Sequence, residues 1–165
     1  MEKIIIVSVI LSFVTTLIFL PLWIRKTQKV GLLWEDMNKF DKPKNVVASG
    51  GIVVIMTFIL GVLFYIALRT FVIKADGIIL EIFSLLSVIL IFAIIGLTDD
   101  LLGWKHGGLS ARFRIFLAVI ASIPLIVINA GEHTIYLPFL VIVNLGLIYP
   151  LVLIPLGITG AATTY

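Results

Sequence analysis

Four stretches of this chain run for close to a membrane crossing without one ionisable side chain. They are Ile4 to Ile24, the residues between Lys44 and Arg69, those between Glu81 and Asp99, and those between Arg114 and Glu132. A charged side chain at the centre of a bilayer costs at least about 2.5–3.5 kcal/mol, so charge-free runs of this length mark where hydrocarbon has to be crossed. Hydrophobic residues make up 61% of the chain and charged ones 13%, roughly half the ~25% of a water-soluble domain, which excludes a soluble fold. At about 20 residues per crossing plus short loops, 165 residues supply about five helices, read as one all-α polytopic membrane domain.

The helices are expected at about 4–24, 47–69, 78–98, 113–131 and 145–165, with cytoplasmic loops at 25–46 and 99–112. The first run is too long for a signal-peptide core and no small-residue cleavage site follows it, so it reads as a retained helix. The stretch from His133 to Tyr165 is too long for one helix and carries Pro138, Pro150 and Pro155, which predicts irregular chain or a short hairpin before the last helix. Arg25, Lys26, Lys29, Lys39, Lys42, Lys44, Lys105, Arg112 and Arg114 fall on one side, against Lys3, Arg69 and Lys74 on the other. That bias places the first set in the cytoplasm and the amino terminus outside, and five crossings bring Tyr165 back to the cytoplasmic surface. Trp23, Trp34 and Trp104 then sit near that surface as interfacial anchors. The formal charge of +3 reports topology rather than nucleic-acid binding. With no cysteine present, thiolate metal sites and cysteine nucleophiles are excluded.

The sharpest chemical signal is the pair Asp99-Asp100, expected at the C-terminal end of the third helix, where the helix dipole already presents about half a negative charge. Two carboxylates repel each other there and call for a compensating cation. Oxygen-only ligands favour Mg²⁺, or Mn²⁺, over zinc. Taken alone, the pair reads as an ordinary solvated turn after a helix. Arg112 and Arg114 open the fourth helix, where cations lose dipole energy and a phosphate gains it; the positive-inside bias alone also places them there. Ser49-Gly50-Gly51 opens the second helix with backbone donors and no side-chain bulk, suited to a phosphate or to close helix packing. Asp36 and Lys39 stand one helical turn apart in the first loop, a spacing that also makes a simple surface pair. His106 and His133 lack ligand-type company. By the topology above, the acidic pair, the arginines, the Gly-Gly start, the Asp-x-x-Lys loop and the end of the last helix all reach one membrane surface, as a site for an anionic substrate and a metal requires.

In that order the motifs resemble the polyprenyl-phosphate N-acetylhexosamine-1-phosphate transferases, glycosyltransferase family 4, over nearly the whole chain. Asp36-Met37-Asn38-Lys39 resembles the family's first cytoplasmic loop, Ser49-Gly50-Gly51 its Gly-Gly helix start and Asp99-Asp100 its acidic pair. Gly108 to Arg114 resembles the basic start of the fourth helix, and Leu145 to Ala161 the fifth. The chain differs at Val47 and Ala48, where relatives generally carry proline followed by glutamate or threonine. It differs again at Thr163, where the family places the first asparagine of an Asn-x-x-Asn motif whose second asparagine would come just after Tyr165.

The resemblance implies transfer of a sugar-1-phosphate from a UDP-N-acetylhexosamine to a polyprenyl phosphate, with release of UMP, as the first lipid-linked step of glycan assembly. Among donors the loop and acidic pair look closer to dolichol-type relatives, which implies UDP-GlcNAc. By position Asp36 and Met37 would meet the nucleotide, Lys39, Gly50, Gly51, Arg112 and Thr163 would line the substrate site, and Arg114 would hold the lipid phosphate. Asp99 and Asp100 would organise Mg²⁺ or assist the nucleophile, with the other metal ligands expected beyond Tyr165. The resemblance also implies the N-terminal half of a ten-helix enzyme in the cytoplasmic membrane, inactive alone. Polar faces with Asn144, Thr159, Thr163 and Thr164 would then be covered by a following half or by a second copy. The alternative is a non-catalytic subunit or transporter-like bundle that retains the fold. The topology is checked with single cysteines: Lys42→Cys and Gly107→Cys are expected to react with a membrane-impermeant maleimide only from the cytoplasmic side, and Gly77→Cys only from outside. Any reversed site breaks the shared-face reading.

Overall fold

The computed structural model describes residues 2–34, 40, 45–47, 49–74, 77–106, 108–132, 134–136 and 142–163. The side chains of Trp34, Trp104 and His106, together with Asp36, Met37, Asn38, Lys39, Ala48, His133, Pro138, Thr164 and Tyr165, lie outside the described residues. The chain is an all-α polytopic membrane protein. Among the described residues four helical spans are long and apolar enough to cross a bilayer, Lys3–Val30, Gly51–Ile73, Ile79–Leu102 and Ala111–Ile128, and Tyr149–Thr163 is a shorter apolar helix. The fold divides into two compact units, residues 1–76 with 97–108 and residues 77–96 with 109–165.

In the first unit, α1 (Glu2–Val30) does not stop at Ile24. Arg25, Lys26, Gln28 and Lys29 end the apolar run but are good helix formers, so the helix continues past the hydrocarbon for a total of roughly 43 Å. Gly31 ends it, left-handed at φ 77°. The Gly31 N–H donates to the Gln28 carbonyl (3.2 Å) and the Leu32 N–H to that of Thr27 (3.1 Å), the paired bonds of a Schellman cap. β1 (Leu33–Trp34) and β2 (Val46–Val47) then pair antiparallel, Leu33 opposite Val47 and Trp34 opposite Val46. The second helix therefore begins later than 47. Asn45 and Ser49 take positive φ on either side of β2, and α2 spans Gly51–Leu68. It continues as a π-helical segment, Arg69–Ile73, closed by left-handed Lys74.

α1 and α2 make the most extensive helix pairing among the described elements. Their seam carries small and hydroxyl side chains at four-residue spacing, Ser8, Ser12 and Thr16 on α1 and Thr57 and Gly61 on α2. Lipid tails are as apolar as leucine, so helices in a membrane associate through close packing and hydrogen bonds. Both are present. A Cβ on Gly61 would overlap the Ser12 side chain and stand 2.9 Å from the Ser8 carbonyl oxygen. Four residues away the Thr16 and Thr57 hydroxyls meet at 2.6 Å. Each also reaches its own helix's carbonyls, Thr16 that of Ser12 (2.7 Å) and Thr57 that of Val53 (2.9 Å). One proton then crosses the seam and the other returns to its own backbone.

α3 (Ile79–His106) passes through both units. It overruns its expected end at residue 98 and carries through the sequence expected to be loop. No proline interrupts residues 99–106, and left-handed Gly108 (φ 78°) follows the helix. In the second unit α4 (Ala111–Ala121) and α5 (Ile123–Ile128) replace one continuous helix. Pro124 has no N–H for the helical ladder, and at the joint Ser122 donates both its N–H (3.2 Å) and its hydroxyl (2.6 Å) to the Val119 carbonyl. The expected hairpin is present: β3 (Thr134–Tyr136) pairs antiparallel with β4 (Ile142–Asn144). Left-handed Gly146 follows, its N–H held by the Asn144 carboxamide at 3.0 Å. The last helix starts four residues later than expected, as a π segment Tyr149–Leu153 leading into α6 (Ile154–Thr163). Expected to reach Tyr165, it is described as far as Thr163. Pro155 denies the Leu151 carbonyl its ordinary donor, and in the turn before it the Ile154 N–H pairs back to Tyr149. α6 packs on α4 and α5.

The seam yields a direct check. Gly61→Leu is expected to destabilise the α1–α2 pair by about 1–3 kcal/mol through overpacking. In a chain with no native cysteine, Thr16→Cys with Thr57→Cys is expected to form an intrachain disulfide that Gly61→Leu abolishes. Equal cross-linking with and without Gly61→Leu would remove the seam from the account.

Candidate active site

Gly50, Gly51, Asp99 and Asp100 belong to the first compact unit, and Arg112, Arg114 and Thr163 to the second. Asp36, Met37 and Lys39 lie outside the described residues, as does Tyr165, beyond which the further metal ligands are expected.

The acidic pair is not at a helix terminus. With α3 helical through His106, Asp99 and Asp100 precede its last turn, and the argument from the unpaired C-terminal carbonyls does not apply to them. Asp99 is half-buried and Asp100 exposed. Successive residues on a helix point about 100° apart, so the two carboxylates diverge from a shared backbone and reach one ion only from adjacent faces. Among the described residues no three His, Cys, Asp or Glu side chains gather into a metal-binding group. A carboxylate pair fits a hard cation that keeps water and substrate oxygens in its shell, as Mg²⁺ does.

A Cβ added at Gly51 meets nothing within 4 Å, and one at Gly50 reaches only the Leu20 side chain, at 4.0 Å. Neither glycine has positive φ. Among the described residues, neither close packing nor a positive φ calls for glycine at these two positions. The Ile52 and Val53 N–H groups turn back to the Ser49 and Gly50 carbonyls at 3.3 and 3.2 Å, and the helix has no side-chain cap.

In the second unit Ser110 is the extended N-cap of α4. Arg112 and Arg114 are both exposed, but two residues of helix turn about 200°, so they face opposite ways and cannot act as one clamp. Arg114 Nε donates to the Leu109 carbonyl at 3.1 Å, tying the guanidinium to the loop that leads into α4. α6, which carries Thr163, packs on α4. The Thr163 hydroxyl is exposed and donates to the Thr159 carbonyl at 2.7 Å, leaving its lone pairs to accept. Asn144 Oδ1 and the Thr163 hydroxyl thus each make one local hydrogen bond.

Three polar features escaped sequence reasoning. Ser49 is 9% exposed, takes φ 60° and has no partner for its hydroxyl; the Trp23 indole N–H is buried and likewise unpartnered among the described residues. Arg69, read as a topology marker, is 8% exposed and donates to the Tyr65 hydroxyl at 3.2 Å. Only the last had a signal, the four-residue spacing of Tyr65 and Arg69.

The chain is thus a multi-pass helical membrane protein with a carboxylate pair late in one helix, an uncluttered helix head in the same unit and, in the other unit, arginines at the start of a helix. Residues 82–165, just over half of the chain, match the family model described as glycosyl transferase family 4. The chain belongs to that family. It is 34% identical over 161 residues to a protein of Sulfolobus acidocaldarius and 34% identical over 162 residues to one of Saccharolobus solfataricus. Both carry the provisional name UDP-N-acetylglucosamine–dolichyl-phosphate N-acetylglucosaminephosphotransferase. Each comparison covers 98% of this chain but 47% and 45% of the relatives, so the chain spans about half the length of the curated relatives it matches. No solved structure gives a significant match.

Proposed function

We propose that this chain is part of a membrane transferase that moves N-acetylglucosamine-1-phosphate from UDP-GlcNAc to a polyprenyl phosphate of the dolichyl type, releasing UMP. The observation that carries the proposal is identity of 34% along 98% of the chain to relatives named for that reaction. An oxygen of the lipid phosphate attacks the phosphorus that bears the sugar, a new P–O–P linkage forms, and the bond to the nucleoside phosphate breaks with its electron pair leaving on UMP. Phosphoryl transfer of this kind asks a protein mainly to position two phosphates and offset their charge. The lipid phosphate has a second pKa of about 6 and is mostly ionised near neutrality, so a strong base is not required.

Asp99 and Asp100 are proposed to hold Mg²⁺ with substrate oxygens completing its shell; the ion would supply charge neutralisation at the phosphates. Arg112 and Arg114 face different ways and are assigned separate tasks, with Arg114 at the lipid phosphate. Gly50 and Gly51 keep the head of α2 free of side-chain bulk for an anion, Thr163 offers an acceptor, and Asp36, Met37 and Lys39 are assigned to the nucleotide by resemblance. The active face is proposed to be cytoplasmic because lysine and arginine crowd the loops on that side. A further half or a second copy of the chain is proposed as partner. In the complete polypeptide, Asp99→Asn or Asp100→Asn is expected to lower Mg²⁺-dependent UMP release by at least about a hundredfold with normal membrane insertion. Unchanged turnover in both variants would favour the non-catalytic bundle.

A further inference from the structure

The two arginines that open α4 stand on opposite sides of the helix, and the two sides differ. Arg114 recurs with Ala118 and Ala121 at helical spacings of four and three, and those alanines are 3% and 0% exposed. This is the face that α4 buries within its own unit, where it packs on α5 and α6. Arg112 stands four residues before Phe116, which in turn stands three and four before Val119 and Ile120, and all four are exposed. Phe113 lies beside them, its ring stacked on that of Phe116 with centroids 6.4 Å apart and planes inclined by 30°.

Arg112 is the second residue of the membrane span Ala111–Ile128. Its guanidinium therefore sits at headgroup depth, and the apolar stripe runs from it into hydrocarbon, about 12 Å of helix between Arg112 and Ile120. An apolar face alone is satisfied by any lipid tail. A guanidinium at its top narrows the choice, because the planar fork pairs best with phosphate oxygens and one basic group near a membrane surface raises affinity for an anionic lipid about fivefold. No acidic residue lies between Asp100 and Glu132, so α4 carries no carboxylate of its own to offset Arg112. The stacked rings give the stripe a broad, flat surface just below the charge, held with little side-chain freedom.

We propose that this face of α4 binds one anionic lipid of the bilayer, its headgroup phosphate on Arg112 and an acyl chain along Phe113, Phe116, Val119 and Ile120. The site is separate from the one assigned to the polyprenyl phosphate, whose proposed partner Arg114 lies on the side of the helix that Ala118 and Ala121 bury. It depends on the membrane topology and not on the transferase reading. A lipid held there steadies the first turn of α4, the turn that also presents Arg114.

The test titrates the complete polypeptide, purified in detergent, with phosphatidylglycerol or with phosphatidylcholine of the same acyl chains, bound lipid being read by native mass spectrometry. Phosphatidylglycerol is expected to bind at least about fivefold more tightly. Arg112→Gln is expected to remove that preference at the tightest site, and Arg112→Lys to restore part of it. Glutamine and lysine are both good helix formers, so neither variant puts the fold at stake. Arg25→Gln deletes an exposed cation of α1; it controls for the general positive field and is expected to leave the tightest site unchanged. Excess polyprenyl monophosphate is expected to leave the phosphatidylglycerol bound. Equal affinity for the two headgroups, or equal losses in Arg112→Gln and Arg25→Gln, overturns the site, and displacement by polyprenyl monophosphate overturns its separation from the substrate. The transferase reading is judged by UMP release, whichever way the lipid result falls.

Discussion

Hydrocarbon offers a peptide group no hydrogen bond, and each backbone N–H or C=O left unpaired in it costs several kcal/mol. That constraint makes the apolar stretches helical, and it leaves the side chains to decide how the helices meet. Apolar burial does little for helix association when the surrounding solvent is itself apolar. Most leucine, isoleucine, valine and phenylalanine side chains of α1, from Ile5 to Leu22, accordingly remain exposed on its surface. What joins α1 to α2 is the absence of a side chain at Gly61 and one proton shared between Thr16 and Thr57. Small residues allow the backbones to approach, and approach makes the hydroxyl contact possible.

The same constraint explains where the helices are irregular. Pro21, Pro124 and Pro155 each withdraw one donor from a ladder that water cannot repair at membrane depth. The chain responds differently at each. α1 continues through Pro21, the α4–α5 joint redirects the Ser122 N–H and hydroxyl to one carbonyl, and the turn before Pro155 widens to π spacing. At the head of α2, where no side chain caps the helix, the Ile52 and Val53 N–H groups turn back to the Ser49 and Gly50 carbonyls.

Charge-free runs made the crossings legible, because ionisable residues are excluded from hydrocarbon by a large energy. They did not make the helix ends legible. Lys, Arg and Gln leave the bilayer without leaving the helix, so α1 outruns Ile24 and α3 outruns Thr98, and the true stop of α1 was written in Gly31. Pro138 and Pro150 did announce the hairpin before the last helix. Of the site, the order of motifs was readable and pointed to the family. The divergence of Arg112 from Arg114 follows from helical periodicity once α4 is seen to start at Ala111. Ser49 was not readable as a buried donor, since nothing in Ala-Ser-Gly-Gly distinguishes a serine held left-handed under β2 from a solvated one.

The central claim is that the group transferred is a sugar phosphate rather than a bare sugar, because the residues available suit phosphoryl transfer. In the proposed reaction the Asp pair, the arginines and the head of α2 would offset charge on phosphate oxygens. The phosphorus next to the sugar decides the matter. With UDP-GlcNAc carrying ³²P at that position, membranes from cells expressing the complete gene and supplied with polyprenyl phosphate are predicted to deliver the label into the lipid extract as unlabelled UMP appears in water. Transfer of the sugar with the label retained in aqueous UDP would contradict the account.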